Sequence, residues 1–371
     1  MVIKVGIIGT GWGIFAQMPG FRKAGMEVTA LWSRTLEKAQ KLCAEHGIQH
    51  AFDSFEDLAN CDDVDLVCVA TPVSARKEAV LAAVRAGKHV LAEKPFGLNA
   101  GEAQEMLEAS VAEGPGKLYL CDFELRCVPA FRKMRAFIED GDIGPVQFVT
   151  FSCLWTMAYL KDDAIFGHYN NKAMGGGVSC SFAPHFVDLC RYLFSQEVAK
   201  VSALERTLLQ ALPDHDGNPR AVTADGFVSA QLLMTDGTPV QITLSGRTPG
   251  PPGLENRMII VGSSGTLVYD FATQEFKAWL GGAERGAEPT VAEPPVEGAG
   301  EFDSWAKLGT PELGRAIRLA LEGDAGDDAA EMPPLEVSML GSFYDAVHVQ
   351  KVTDAMHLSA DQNGAWIDIE Y

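Results

Sequence analysis

The sequence predicts an α/β domain built on a doubly wound parallel sheet, followed by an α+β domain with a large, mostly antiparallel, open-faced sheet. Three observations predict it. Short apolar runs alternate with helix-length segments over residues 1–122, the pattern of parallel βαβ units. A glycine-rich turn, Gly9-Thr10-Gly11-Trp12-Gly13-Ile14, directly follows the first apolar run. Beyond residue 123 the apolar runs come mostly in succession, with few helices between them. A chain of 371 residues also exceeds what one core usually serves. The expected division is 1–122 and 123–371.

In the first part, Val2–Ile8, Val28–Trp32, Asp65–Ala70, His89–Ala92 and Leu118–Phe123 read as strands. Phe15–Ala24, Thr35–His46, Ser74–Ala86 and Asn99–Glu113 read as the helices between them. In the second part, Pro129–Asp140 is amphipathic, with Phe131, Met134 and Ile138 on one face. Strands are expected at Val146–Phe151, Val198–Glu205, Gly226–Leu233, Pro239–Ser245, Met258–Gly262 and Thr266–Asp270. An apolar helix starts near His185 and runs to Phe194. Glu284–Gly300, rich in Pro, Gly, Ala and Glu, reads as an exposed loop. Two helices, near Pro311–Glu322 and Leu335–Leu358, close the chain.

With 47% hydrophobic and 22% charged residues, the composition is that of a globular protein. No apolar run approaches the ~18 residues of a membrane span. Entry into a strand at Val2 leaves no room for a secretory leader, so a cytoplasmic location is expected. The eight cysteines are Cys43, Cys61, Cys68, Cys121, Cys127, Cys153, Cys180 and Cys190, and no two have Cys-x-x-Cys spacing. Reduced thiols are expected, with neither a disulfide framework nor a zinc site. Acidic residues outnumber basic ones 50 to 30, for a net charge of −20. Such a surface repels nucleic-acid phosphates and anionic membranes, so neither is an expected partner. A site for any phosphorylated ligand must therefore concentrate positive charge locally.

Glycines at the first turn let a pyrophosphate approach the backbone, and the following helix offers N–H groups and a partial positive charge. Between strand and helix, the turn predicts a Rossmann dinucleotide site at Gly9, Thr10, Gly11, Trp12, Gly13 and Ile14. Ile14 stands where the usual fingerprint has its third glycine, with Gly13 one residue early. The helix is therefore expected to sit differently on the sheet. The end of the second strand selects the dinucleotide, since an acidic residue there would bind the ribose hydroxyls of NAD. Here stand Trp32-Ser33-Arg34-Thr35, with Lys38 one turn on. Arg34 could clamp a 2′-phosphate bidentately. Ser33, Arg34 and Lys38 thus predict NADP(H) in preference to NAD(H), the alternative being a solvated helix start.

Glu93-Lys94-Pro95 follows the strand His89–Ala92, Thr71-Pro72 follows Asp65–Ala70, and Gly175-Gly176-Gly177 leads to His185 and Asp188. In this order, with the glycine turn, they resemble the Gfo/Idh/MocA family, which includes glucose–fructose oxidoreductase and inositol dehydrogenase. Ala30-Leu-Trp-Ser-Arg-Thr35 and Leu125-Arg126-x-x-Pro129-Ala130-Phe131 are similar to the family's glucose–fructose oxidoreductase domain-containing proteins. The resemblance implies hydride transfer between a nicotinamide and a hydroxyl- or carbonyl-bearing carbon of a sugar or cyclic polyol. It implies that Ala70, Thr71, Pro72, Arg76, Glu93 and Lys94 join the cofactor site. It also implies that the last helix packs near the first domain. The open sheet face is then expected to form a homodimer or homotetramer.

Oxidising an alcohol requires an acceptor for its proton as hydride leaves. Lys94, at a strand's carboxyl end, can serve once desolvation and the positive nicotinamide weaken its hold on a proton. An exposed strand-end lysine is the plain alternative. His185 is the second catalytic candidate, expected to hydrogen-bond the same substrate oxygen; a lone histidine there is otherwise a core or cap residue. Many active relatives carry aspartate four residues before this histidine, where this chain has Ser181. Losing that charge makes a neutral Lys94 easier to reach, or else marks altered catalysis. Many relatives also place histidine where Arg76 stands. Arg76 either approaches the cofactor or is a solvated helix residue.

Glu124 and Arg126 follow the strand Leu118–Phe123, and their spacing places both on one face of an extended chain. Glu124 is expected to accept hydrogen bonds from sugar hydroxyls, and Arg126 to be a structural partner of the acidic second domain. Tyr169, beside His168 in a loop, is a further substrate candidate, though loop aromatics are common. The leading expectation is an NADP(H)-dependent oxidoreductase of a carbohydrate-like small molecule. One rival is a dinucleotide-binding protein that senses or scaffolds without turnover. Another is a reductase of an aromatic-derived substrate, in an apolar pocket lined by Trp155 and Phe123.

Overall fold

The computed structural model describes residues 2–371 except Pro115, Pro252, Gly253, Ala283, Arg285, Glu301 and 323–338. The chain forms two compact units, Met1–Val128 with Trp305–Gln350, and Pro129–Ser304 with Lys351–Tyr371.

Among the described residues, unit one holds six strands, β1 (Lys4–Ile8), β2 (Glu27–Trp32), β3 (His50–Phe52), β4 (Leu66–Val69), β5 (His89–Ala92) and β6 (Tyr119–Cys121). They form one sheet in the order β3-β2-β1-β4-β5-β6, with every pair parallel. The central strands are apolar without alternation, as a sheet covered on both faces requires. Val5, Ile7, Ile8, Leu66, Val67, Cys68 and Val69 are fully buried. Caps set the helix limits. Thr35 accepts the Lys38 amide at 3.4 Å to start Leu36–His46, which ends at Gly47 in the left-handed region. Asn99 accepts the Glu102 amide at 3.0 Å and starts Ala100–Ala112.

Several expectations change here. β3 and the helix Phe55–Ala59 were not anticipated, because a half-buried three-residue strand makes no apolar run. The first helix opens with a π-helical turn, Gly13–Gln17, before becoming α-helical over Met18–Lys23. Glu124–Cys127 is a 3₁₀ turn, so Glu124 and Arg126 do not share one face of an extended chain. Strand pairing ends at Cys121, and the backbone then satisfies itself locally. Arg126 N donates to Phe123 O, and Val128 N to Leu125 O, both at 3.1 Å. The closing helix is Phe343–Asp361. Of its expected span 335–358, residues 335–338 lie outside the described residues. It starts where Ser342 and Asp345 cap each other: the Ser342 amide donates to Asp345 Oδ2, and the Asp345 amide to Ser342 Oγ.

Unit two holds β7 (Val146–Leu154), β8 (Val198–Arg206), β9 (Ala211–Pro213), β10 (Pro219–Ala221), β11 (Phe227–Met234) and β12 (Pro239–Ser245). It continues with β13 (Asn256–Gly262), β14 (Thr266–Asp270), β15 (Phe276–Trp279), β16 (Val291–Glu293) and β17 (Ile367–Asp368). Nine of them form a sheet in the order β16-β15-β14-β13-β7-β12-β11-β8-β17, antiparallel except for β7 beside β12. β9 and β10 form a separate pair. Val149, Phe151 and Cys153 are buried while Thr150 and Ser152 between them are half-exposed, the alternation of a sheet covered on one face. The helices Pro129–Glu139 and Ala183–Phe194 supply that cover. Phe186 lies 4.8 Å from Phe151, and Phe131 4.8 Å from Tyr269. Phe148 and Leu204 remain exposed. β16 falls inside Glu284–Gly300, which therefore is not all loop; it adds a short edge to β15. All eight cysteines are free thiols. Among the described residues no helix is long and apolar enough to cross a membrane.

Candidate functional site

In unit one the predicted residues stand at the carboxyl ends of parallel strands. Strand order reverses between β1 and β4, the point where open α/β sheets bind ligands. Gly9 leaves β1 at φ +131°, and a Cβ there would lie 2.3 Å from the Ala70 carbonyl oxygen. Only glycine fits. A Cβ at Gly13 would lie 2.7 Å from the Ile7 side chain, whereas at Gly11 it would meet nothing within 4 Å. The space over Gly11 is therefore open for a ligand that hugs the backbone. The Ile14 and Phe15 amides both donate to Gly11 O, so the Ile14 N–H is used within the turn. Thr10 and Trp12 are half-buried, with Trp12 resting on Phe15 at 5.6 Å.

At the end of β4, Ala70 is half-buried, Pro72 is exposed and Thr71 is buried. The Thr71 hydroxyl has no hydrogen-bond partner among the described residues. Such an orphan costs about 1–3 kcal/mol, which a polar ligand would relieve. The glycine cradle and this hydroxyl fit a dinucleotide. At the end of β2, Ser33 is buried while Arg34 and Lys38 are exposed.

Lys94 is half-buried at the end of β5, and its peptide bond to Pro95 is cis. Beside it three carboxyls are buried: Glu93, Asp122 and Glu124. Gln17, from the π-helical turn, donates to Glu93 Oε1 at 2.9 Å and Asp122 Oδ2 at 2.8 Å. Its own oxygen accepts from the Cys68 thiol. Asp122 also acts on Glu93 and Glu124. A buried carboxyl beside other carboxyls holds its proton more tightly than one in water. Burial, then the neighbouring Glu124, pushes Asp122 up to about 8. Burial, then Glu93, pushes Glu124 up to about 8, with Lys94 opposing. Burial and Asp122 raise Glu93 well above the usual range against the pull of Lys94 and Arg76. The cluster keeps protons at neutral pH.

Arg76 is not a solvated helix residue. It is buried and donates to the carbonyl oxygens of Thr71 and Pro95, tying together the turns after β4 and β5. Buried guanidinium needs such acceptors. Arg126 pairs with Asp345 at 3.2 Å, inside unit one. The sequence reading missed Gln17, Cys68 and Asp122. Asp122 had a signal, an acid directly ending an apolar strand; Gln17 and Cys68 had none.

In unit two, Gly177 sits at φ +111°, and a Cβ there would lie 2.0 Å from Asp225 Oδ1. That approach lets Asp225 accept the Ser179 amide at 2.9 Å and its hydroxyl at 2.6 Å. The glycine run thus anchors the short helix Val178–Ser181. Burial, then Glu205, pushes Asp225 up to about 6. His185 is buried in the first turn of Ala183–Phe194, and Asp188 lies 3.9 Å from Arg191 on the same helix. Ser181 is buried and makes a polar contact with the Tyr159 phenol. Tyr169 is exposed in the 3₁₀ turn His168–Asn170 and stacks on Tyr159 at 4.5 Å. Lys94 and Glu124 thus belong to unit one, and Tyr169 and His185 to unit two. Phe123 and Trp155, expected to line one pocket, are each buried in a different unit.

Residues 3–117 match a family described as an oxidoreductase family with an NAD-binding Rossmann fold. Residues 131–268 match the GFO/IDH/MocA C-terminal domain. Glucose-fructose oxidoreductase domain-containing protein 2 of Homo sapiens is 29% identical over 379 residues, covering 100% of this chain and 94% of that protein. A levoglucosan dehydrogenase, solved with NADH and levoglucosan, aligns over 100% of both chains with a TM-score of 0.84 at 20% identity. A super-repressor mutant of Gal80p from Saccharomyces cerevisiae aligns over 99% of this chain and 98% of its own, with a TM-score of 0.80 at 15% identity. Both structures share the fold.

Proposed function

The chain belongs to the Gfo/Idh/MocA oxidoreductase family, and on that premise we propose that it is an NADP(H)-dependent enzyme moving hydride to or from a CH–OH carbon of a sugar or cyclic polyol. One observation carries this reading. The glycine cradle, the orphan Thr71 hydroxyl and Lys94 stand at the carboxyl ends of adjacent parallel strands in unit one. The nicotinamide, when bound, supplies or takes the hydride. Lys94 Nζ takes the substrate hydroxyl proton in oxidation and returns it in reduction. Glu93 and Glu124 act on the Lys94 charge, and burial holds both carboxyls above the usual carboxylate range. Arg76 holds the turns that aim Lys94 and carry Thr71.

In this reading Gly9 to Ile14, Ser33, Ala70 to Pro72, Arg76 and Glu93 hold the cofactor. Arg34 and Lys38 gather the positive charge that a 2′-phosphate needs on a protein of net charge −20. Substrate binding is assigned to Glu124 in unit one, and to Tyr169 and His185 in unit two. A carbohydrate substrate is supported by the likeness to levoglucosan dehydrogenase, and copies pair through the exposed sheet face that carries Phe148 and Leu204. The eight free thiols suit a reducing compartment such as the cytoplasm.

The first test is titration with NADPH and NADH, followed by nicotinamide fluorescence, in the native protein and in Arg34→Ala. Tight NADPH binding that weakens selectively in the variant is the expected result. Equal or absent binding of both nucleotides overturns the strand-two argument. A second reading, dinucleotide binding without turnover, is favoured by Ser181 and by the likeness to a Gal80p super-repressor. Binding with no turnover of any sugar in a broad panel would establish it; turnover of one sugar removes it.

A further inference from the structure

A second group of reactive side chains lies in unit two, outside the cofactor and substrate residues. Cys180, at the end of the glycine-anchored helix, has its Sγ 3.3 Å from His357 Nε2. On the other side of the ring, His357 Nδ1 lies 2.7 Å from Glu205 Oε1. That contact is a charge pair set off the ideal hydrogen-bond line. Thiol, imidazole and carboxylate come from three distant segments: the helix Val178–Ser181, the helix Phe343–Asp361 and β8. The order is nucleophile, base and orienting acid, the arrangement that activates a thiol.

The surroundings favour charge separation. Glu205 Oε2 lies 3.7 Å from Lys172 Nζ, and the same ammonium lies 3.5 Å from Asp361. Ser179, Asp225 and Tyr159 also act on this cluster. With the Glu205 carboxylate beside Nδ1, the proton is favoured on that nitrogen and the ring offers the Nε2 lone pair to the thiol. The resulting imidazolium sits between thiolate and carboxylate. Burial disfavours that cation, yet contact with Cys180 and Glu205 outweighs burial and pushes His357 up to about 11. Cys180 keeps a small exposed area, 7%, through which solvent-borne reagents meet the sulfur.

We propose that Cys180, activated by His357 and Glu205, is a nucleophilic thiol that reacts with small peroxides, a modification site separate from hydride transfer. The thiolate attacks one peroxide oxygen, forming an S–O bond as the O–O bond breaks. The leaving hydroxide or alkoxide takes the proton of the His357 imidazolium. Sulfur is oxidised to a sulfenic acid, and the peroxide is reduced to water or an alcohol. Neither dinucleotide nor sugar takes part, so failure of the oxidoreductase reading leaves this one standing, and the reverse.

The test treats the full chain with substoichiometric hydrogen peroxide at pH 7, traps sulfenic acids with a dimedone-type probe and reads each cysteine by peptide mass spectrometry. Cys61 is the internal control, because it is more exposed than Cys180. The expected result is labelling of Cys180 ahead of Cys61 by about tenfold or more, with that advantage lost in His357→Gln. Labelling of Cys61 first, or an unchanged Cys180 rate in a folded His357→Gln, overturns the proposal. A second measurement needs no variant. Alkylation of Cys180 by iodoacetamide stays nearly level from pH 6 to 8 if the thiol is activated. A rise of about tenfold per pH unit, the behaviour of an ordinary thiol, overturns it.

Discussion

Glu124 in unit one and Glu205 in unit two are both shielded from water, yet they titrate in opposite directions. Burial and Glu93 push Glu124 up to about 8. Burial also pushes Glu205 up, but His357, then Lys172 and Ser179, outweigh it and hold the group below the usual carboxylate range. Burial alone does not fix the charge of an acid. The partner decides. Unit one clusters three acids around an amide and a thiol, so it stores protons. Unit two interleaves acids with an imidazolium and an ammonium, so it stores fixed charge.

Lys94→Met gives the largest expected change. It removes the ammonium facing Glu93 and Glu124, raises both further and cuts kcat/KM by at least ~100-fold, with NADPH binding retained. A pH–rate profile and rate unchanged from native would remove Lys94 from the chemistry. Next comes Glu205→Gln, which leaves the His357 cation without its carboxylate and costs about 3 kcal/mol near pH 6. Glu205 is depressed in the fold, so its contribution is present above its unfolded value and lost as pH falls. His357 is raised, so its contribution is full below pH ~6.5 and lost as pH rises toward about 11. Urea denaturation should show the deficit near pH 6 and little of it at pH 3; an equal loss at both would break the comparison.

Asp122→Asn reports on the other cluster. Asp122 and Glu124 are raised to about 8, so the folded state keeps protons that the unfolded chain has released above pH ~4. Stability therefore falls as pH rises from about 4 to 8. The variant should flatten that slope in denaturation series between pH 5 and 8. An unaltered slope would mean the cluster is already ionised. Arg34→Ala is the smallest effect, about tenfold weaker NADPH binding with NADH unchanged, read by fluorescence titration.

The parts legible in sequence were those that leave a local pattern. Continuous apolar runs located the central strands of unit one, and alternation located most of the unit-two sheet. Short edges escaped, because β3, β9, β10 and β16 are three residues each and carry no run long enough to read. Lys94 stood out because Glu-Lys-Pro is contiguous. Gln17 did not, because its meaning arises from a contact with Asp122, 105 residues away in sequence. Cys180 and His357 are 177 apart, and neither has a neighbour in sequence that hints at the other. Arg76 was half-legible: its oddity was visible, but its two carbonyl partners exist only after the sheet forms.

The lone hydroxyl of Thr71 has a consequence for how this protein would evolve. Valine has nearly the same shape and no donor to strand, so Thr71→Val should make the ligand-free chain melt at a higher temperature than the native one. Bound to dinucleotide, the ranking should reverse, with ligand-induced stabilisation smaller in the variant. Selection for a durable empty protein and selection for a well-held ligand pull in opposite directions at this position. A threonine there marks a chain shaped by its occupied state.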